Sequence, residues 1–218
     1  MAEQDETDRG VVGQRSCVGC TMCCKLLAIA ALEKPRLQWC QHCDVGVGCK
    51  IYDERPSECR AFECGYVVDE HIGDHWRPAE SRMVVSLATD ARRMVIYVDP
   101  DRPDAWRKEP FYSDIKNWSR AAERNQGQIM VAQGLNMIAV TPDGETDLGP
   151  VRDDQLVITR RVRGADGISF QHIVVDQDDP VLEAIRLLQS KELAEKATPD
   201  RLAEARRQVD AWLAEERN

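Results

Sequence analysis

All nine cysteines of this 218-residue chain lie between Cys17 and Cys64, and residues 65–218 contain none. They read Cys17-Val-Gly-Cys20-Thr-Met-Cys23-Cys24, then Cys40-Gln-His-Cys43 with Cys49, then Cys59-Arg-Ala-Phe-Glu-Cys64. The segment is punctuated by Gly and Pro and offers little continuous apolar surface. Such a stretch folds only if something other than a hydrophobic core supplies the free energy, and metal–thiolate bonds do that. The alternative is a disulfide framework. Nine is an odd number, and the acidic, polar start Met1-Ala2-Glu3-Gln4-Asp5-Glu6 lacks the basic and apolar regions of a secretory signal. No run reaches the roughly 18 apolar residues of a membrane helix. The sequence therefore predicts a soluble, cytoplasmic chain without a membrane segment, whose thiols stay reduced.

Charge narrows the partners. The net charge is −9, and no basic block with interleaved aromatics occurs. Nucleic-acid backbone repels such a chain, which argues against a nucleic-acid role despite the zinc-finger-like spacings. A protein or redox partner is left open.

The spacings carry the chemistry. Cys17-x-x-Cys20 and Cys40-x-x-Cys43 match a zinc ribbon, in which two short turns each offer two sulfurs to a tetrahedral ion. Cys17, Cys20 and Cys23 together form Cys-x-x-Cys-x-x-Cys, a run suited to three corners of an iron–sulfur cubane with a distant fourth cysteine. Cys24 follows immediately, where the ferredoxin pattern would continue further on. In an extended segment Cys23 and Cys24 would face opposite sides. Eight sulfurs complete two four-ligand sites of either kind. Arg60, beside Cys59, is the expected cation offsetting thiolate charge. Tyr52, Phe62 and Tyr66 are expected either to wall the site from water or simply to pack in the core. His42, His71, His75 and His172 read as structural or surface residues. No serine–histidine–aspartate set, phosphate-binding glycine loop or helical paired-histidine zinc motif occurs.

The remaining sequence predicts an α+β fold: a cysteine-rich, metal-stabilised N-terminal module packed with a mostly antiparallel sheet and C-terminal helices. Cys23 to Leu32 suggests a short buried helix or strand. Met83–Leu87 and Met94–Val98 are β-branched strands with Thr89-Asp90-Ala91 as their turn. Ala105, Trp106, Phe111, Ile115, Trp118 and Ala122 recur at helical spacing, with a break at Pro110. Further strands are expected at 129–132 and 135–141, and a hairpin at 156–175 turning at Gly164-Ala165-Asp166-Gly167. Asp179-Pro180 and Thr198-Pro199 each place a cap residue before a proline, so two helices should close the chain. The expected divisions are a tail over 1–15, the cysteine module over 16–66, an α+β region over 67–177 and a helical hairpin over 178–218.

Within residues 16–66, the opening Cys17-x-x-Cys20-x-x-Cys23-Cys24, then Cys40, then Gly48-Cys49-Lys50-Ile51-Tyr52-Asp53-Glu54-Arg55-Pro56-Ser57-Glu58-Cys59-Arg60-Ala61-Phe62-Glu63-Cys64, resembles the YkgJ-type cysteine-cluster family. That family is described as a zinc- or iron-chelating domain, often labelled iron–sulfur-cluster-containing. The resemblance implies metal ligation by Cys17, Cys20, Cys23, Cys24, Cys40, Cys49, Cys59 and Cys64. It leaves Cys43 outside the set, and Glu63 stands where many relatives have proline. Bacterial flagellin lysine-N-methylase carries a related motif, so an enzymatic context such as protein methyl transfer is also implied, although no glycine-rich dinucleotide-type βαβ unit is present. The expectations are an iron–sulfur cluster, of the [4Fe–4S] type, or zinc, serving a redox, metal-handling or sensing role or a structural and interaction one.

Overall fold

A computed structural model describes residue 13 and residues 15–88, 92–125, 127–164 and 167–215. Most of the expected tail, the turn at Thr89-Asp90-Ala91 and the hairpin tip at Ala165-Asp166 lie outside the described residues. Arg15, placed in the tail by the sequence, is firmly held. Its guanidinium donates to the carbonyls of Tyr66 (2.9 Å) and Asp69 (3.1 Å) and pairs with Asp74 at 2.9 Å.

The chain divides into two compact units, residues 1–150 and 151–218. The first contains short elements around the cysteines: α1 (Met22–Leu26), β1 (Cys43–Asp44), β2 (Gly48–Cys49), α2 (Ser57–Ala61), α3 (Gly65–Val68) and α4 (Pro78–Ser81). A five-stranded sheet follows: β3 (Met83–Ala88), β4 (Arg93–Val98), then helix α5 (Phe111–Arg124), then β5 (Gln128–Gln133), β6 (Asn136–Val140) and β7 (Glu145–Pro150). The spatial order is β3-β4-β5-β6-β7. Every pairing is antiparallel except β4–β5, which is parallel with Arg93 opposite Gln128. A parallel pair needs a crossover, and α5 supplies it. The sheet is mostly antiparallel and the class is α+β, as expected.

Alternation along β3 explains how the sheet is covered. Side chains of successive strand residues point to opposite faces. Met83 and Val85 face one way, into a core with Ile96, Val98, Ile115, Val131, Trp76 and Trp106. Val84 faces the other way, onto Met22 and Leu26 of α1, with Trp39, Phe62 and Tyr97 alongside. The same strand therefore carries α5 on one face and the cysteine-bearing segment on the other. This explains why the cysteine segment expected over 16–66 forms one unit with the first part, to residue 150, of the region expected over 67–177.

Gly65 makes the close approach possible. A Cβ there would lie 2.9 Å from Ile72 Cδ1 and 3.1 Å from Val85 Cγ1. The Cys64–Ser86 bridge runs beside it.

The second unit consists of a hairpin, β8 (Gln155–Gly164) with β9 (Gly167–Asp176), and helices α6 (Val181–Gln189), α7 (Lys191–Lys196) and α8 (Pro199–Glu215). Ile173 and Val175 of the hairpin pack with Val181 and Leu182 of α6 and with Trp212 of α8. The hairpin therefore belongs with the C-terminal helices, and the division falls at Pro150 instead of residue 177. The Asp179 carboxylate accepts from the Val181 amide at 2.8 Å, and the Thr198 hydroxyl from Arg201 at 3.3 Å, as the cap pattern predicts. Ser190 caps the additional short helix α7 in the same way, accepting from Leu193 at 3.3 Å.

Candidate metal centre

Each cysteine is positioned by local backbone geometry. The Cys20 amide donates to the Cys17 carbonyl at 2.9 Å, and the Cys43 amide to the Cys40 carbonyl at 3.0 Å. Both Cys-x-x-Cys segments are thus tight turns of the kind that bring two thiols to one side. The Cys40 amide donates to the Cys24 carbonyl at 3.0 Å, which ties the second turn to α1. The β1–β2 register places Cys43 opposite Cys49. Cys59 lies in α2, held behind the stiff Arg55-Pro56 approach, and Cys64 precedes α3.

Cys23 and Cys24 both lie in α1, so the extended geometry that would send them to opposite sides does not occur. Adjacent residues on a helix are separated by about 100° of rotation instead of 180°. Thiol hydrogen bonds link Cys24 to Cys23 and to Cys43. Cys43, which the family pattern leaves out, is therefore within the thiol group, with Thr21 also hydrogen-bonded to it.

The sulfurs form two overlapping neighbourhoods. Cys17 and Cys20 act electrostatically on Cys64, while Cys24, Cys40 and Cys49 act on Cys59. All nine cysteines are free thiols. Among the described residues, no three His, Cys, Asp or Glu side chains close around a single point at ligating distance.

Burial holds several of these thiols protonated in the metal-free chain. It pushes Cys43 and Cys64 up to about 11, and raises Cys17 and Cys59. Cys24 is raised first by its bond to Cys23 and then by burial.

The cations are not where the sequence suggests. Arg60 donates to the carbonyls of Arg55 (2.8 Å) and Asp53 (3.2 Å), so its charge braces the loop before α2. Two other cations act on the sulfurs. Arg55 lies 3.8 Å above the exposed Tyr52 ring and acts on Cys17, and its buried Nε has no hydrogen-bond partner. Lys34 is only 7% exposed, and its ammonium is acted on by Cys40, Cys24, Cys23 and Cys59. A buried cation and an orphaned donor among thiols fit an anionic, thiolate-bound centre. The sequence reading missed Lys34; the only available signal was a Lys-Pro step between two cysteine groups.

The aromatics divide. Phe62 packs against the α1 cluster and Tyr66 enters the sheet core, while Tyr52 is exposed. His71 and His75 do not share a site: His71 pairs with Asp69 at 3.1 Å and His75 with Asp114 at 2.7 Å. No helix among the described residues is long and apolar enough to cross a membrane. No family model, no curated protein and no solved structure matches the chain.

Proposed function

We propose that this chain is a cytoplasmic metal-binding protein whose cysteines hold iron as an iron–sulfur cluster, of the [4Fe–4S] type, in a redox, metal-handling or sensing role. The observation that carries the reading is the run of nine free thiols between Cys17 and Cys64, drawn together by the Cys40–Cys24 backbone bond, with the cations Lys34 and Arg55 acting among them. Cys17, Cys20, Cys23, Cys24, Cys40, Cys49, Cys59 and Cys64 are the proposed ligands, in keeping with the resemblance to the YkgJ-type cysteine-cluster family. When bound, the cluster would supply one-electron chemistry or a redox-sensitive fold element. The chain's own contribution is to present the thiolates, to offset their charge, and to limit water on the side covered by Met22, Leu26 and Phe62. Anaerobic purification followed by iron, sulfide and zinc analysis tests the reading. Comparable iron and acid-labile sulfide support it. A colourless protein with stoichiometric zinc and no sulfide, even after anaerobic reconstitution, overturns the iron assignment.

A zinc-stabilised interaction module is the second reading. The two Cys-x-x-Cys turns favour it, as does an open groove of about 750 Å³ on the sheet side. Arg92, Arg93 and Arg124 line that groove with Trp118 and Met94, a combination suited to an acidic protein partner. An enzymatic role such as protein methyl transfer rests on the motif shared with flagellin lysine-N-methylase. S-adenosylmethionine binding, measured by calorimetry on the metal-loaded protein, tests it.

A further inference from the structure

Three arginines converge on one groove of an acidic chain. The groove is open, about 750 Å³, and lies where the starts of β4 and β5 meet the end of α5. Leu87, Met94 and Trp118, all half-buried, and the buried Ile129 make its apolar part. Its charge comes from the guanidiniums of Arg92, Arg93 and Arg124 against one carboxylate, Asp69. Asp69 is already engaged, bonded to the amide and the ring of His71 at 2.9 and 3.1 Å. The whole chain has 38 acidic and 29 basic side chains, so the groove is a cationic island.

Two of the arginines are oriented by neutral acceptors. Arg92 Nη1 donates to the Asn125 carbonyl at 3.2 Å, and Arg93 Nε to Gln128 Oε1 at 3.3 Å. Among the described residues, neither Arg92 nor Arg124 forms an ion pair with a carboxylate. Arg124 has a second use, since it lies in the last turn of α5, where the carbonyl end favours a cation. Arg92 is kept at a conformational cost. Its φ of 46° lies in the left-handed region, which suits glycine better than a long side chain. The Gln128 amide donates to the Arg92 carbonyl at 2.9 Å, and a Cβ on Gly127 would come within 2.8 Å of the same oxygen. The backbone fixes that turn and has no need of a guanidinium there.

We infer that the groove binds a short acidic peptide segment of a partner protein, with one large apolar side chain on Trp118 and Met94 and carboxylates on Arg92, Arg93 and Arg124. Guanidinium and carboxylate match in bidentate geometry. The apolar part gives an inorganic anion nothing to bind. A long polyanion such as nucleic acid would extend past the groove onto the acidic surface. A short segment stays within about 10 Å of the arginines, the Debye length near 0.1 M salt. The inference rests on the interaction reading of the same groove and names its partner; it does not depend on which metal the cysteines hold.

The test selects a random-peptide display library on the full chain and measures the enriched peptides by fluorescence polarisation. The comparison protein combines Arg92→Gly, which relieves the left-handed strain, with Arg124→Gln, which keeps a good helix former. Enriched peptides should carry Asp or Glu beside an aromatic or long apolar residue. They should bind the double variant roughly 10- to 100-fold more weakly than wild type. Their Asn- and Gln-substituted forms should lose affinity for wild type to a similar extent, a comparison that needs no protein variant. No enrichment, enrichment without acidic residues, or equal affinity for the double variant overturns the inference. So does a wild-type dimer in sedimentation that the double variant lacks, which would place a second copy in the groove. Zinc analysis of the same preparation separates the two readings: acidic-peptide binding by a zinc-free chain removes the zinc-stabilised module and supports this inference.

Discussion

The Lys25 ammonium lies 2.7 Å from the Asp99 carboxylate, joining the helix that carries Cys23 and Cys24 to the end of β4. The Asp99 side chain is fully buried and that of Lys25 is 9% exposed. Asp101 reaches the same ammonium at 2.6 Å, and Arg82 approaches the other Asp99 oxygen at 2.6 Å, close enough for an ion pair but without hydrogen-bond alignment. This network adds a polar fastening to the apolar contact of Met22 and Leu26 with Val84.

Breaking a buried pair leaves an uncompensated charge, so Asp99→Asn should destabilise the first unit by about 3 kcal/mol in chemical denaturation. The pH dependence follows from the shifts. Burial opposes the Asp99 charge, but Lys25, the Asp101 amide and Arg82 outweigh it, and the carboxyl ionises below its ordinary value of 3.8. The contribution is therefore present above pH 3.8 and disappears as the pH falls through the lower folded value. Lys25, raised because Asp101 and Asp99 outweigh its burial, keeps its contribution below 10.5 and loses it above the folded value. The Asp99→Asn variant should show a shallower acid limb than wild type.

A second acid response should arise in the second unit. The His172 ring bonds Thr159 Oγ1 through Nδ1 at 2.9 Å, while Nε2 is buried without a partner. Burial disfavours its charged form and lowers its ionisation below 6.5. The folded state therefore binds fewer protons than the unfolded one, and stability is lost as the pH falls below 6.5. His172→Gln keeps an acceptor for Thr159 and cannot charge. Its melting temperature between pH 7 and 5 should fall less than that of wild type.

Asp114 accepts from the Trp76 indole at 2.9 Å and from His75 at 2.7 Å. Trp76 is fully buried in the sheet core, so Asp114→Ala strands its N–H donor. The expected cost is roughly 1–3 kcal/mol, read from the denaturation midpoint. Because Asp114 is remote in sequence from the cysteines and contacts the opposite face of the sheet, metal content should be unchanged.

In the metal-free protein, partial burial pushes the Cys43 and Cys64 thiols up to about 11. Since the thiolate is the reactive form, alkylation of both at pH 8 should lag an ordinary thiol by roughly 10- to 100-fold, as seen by mass spectrometry of quenched samples. Comparable reactivity of all nine cysteines would contradict the burial of these two sites.

Much of this arrangement could be read from the chain. The strands around Val84 and Ile96, the break at Pro110 and both capped C-terminal helices follow from periodicity and turn chemistry. The parallel pairing of β4 with β5 was not legible, because alternation reveals a strand's faces and not its neighbours. The edge strand β7, Glu145–Pro150, was missed because its exposed, polar sequence lacks an apolar face. At the candidate site the thiols are evident from their spacing. The helix at Met22–Leu26 was ambiguous because five residues support either period. The contact of Cys43 with Cys24 leaves no local pattern, since it joins two segments that the Cys40–Cys24 backbone bond brings together.

The central claim is that these cysteines hold a metal. Its most direct test is metal and sulfide analysis of the full chain, purified anaerobically and then reconstituted with iron and sulfide, with free thiols counted on the same sample. The expected result is bound iron with comparable acid-labile sulfide, and most of the nine thiols protected until the metal is removed. Nine freely reactive thiols with neither iron nor zinc retained would contradict it.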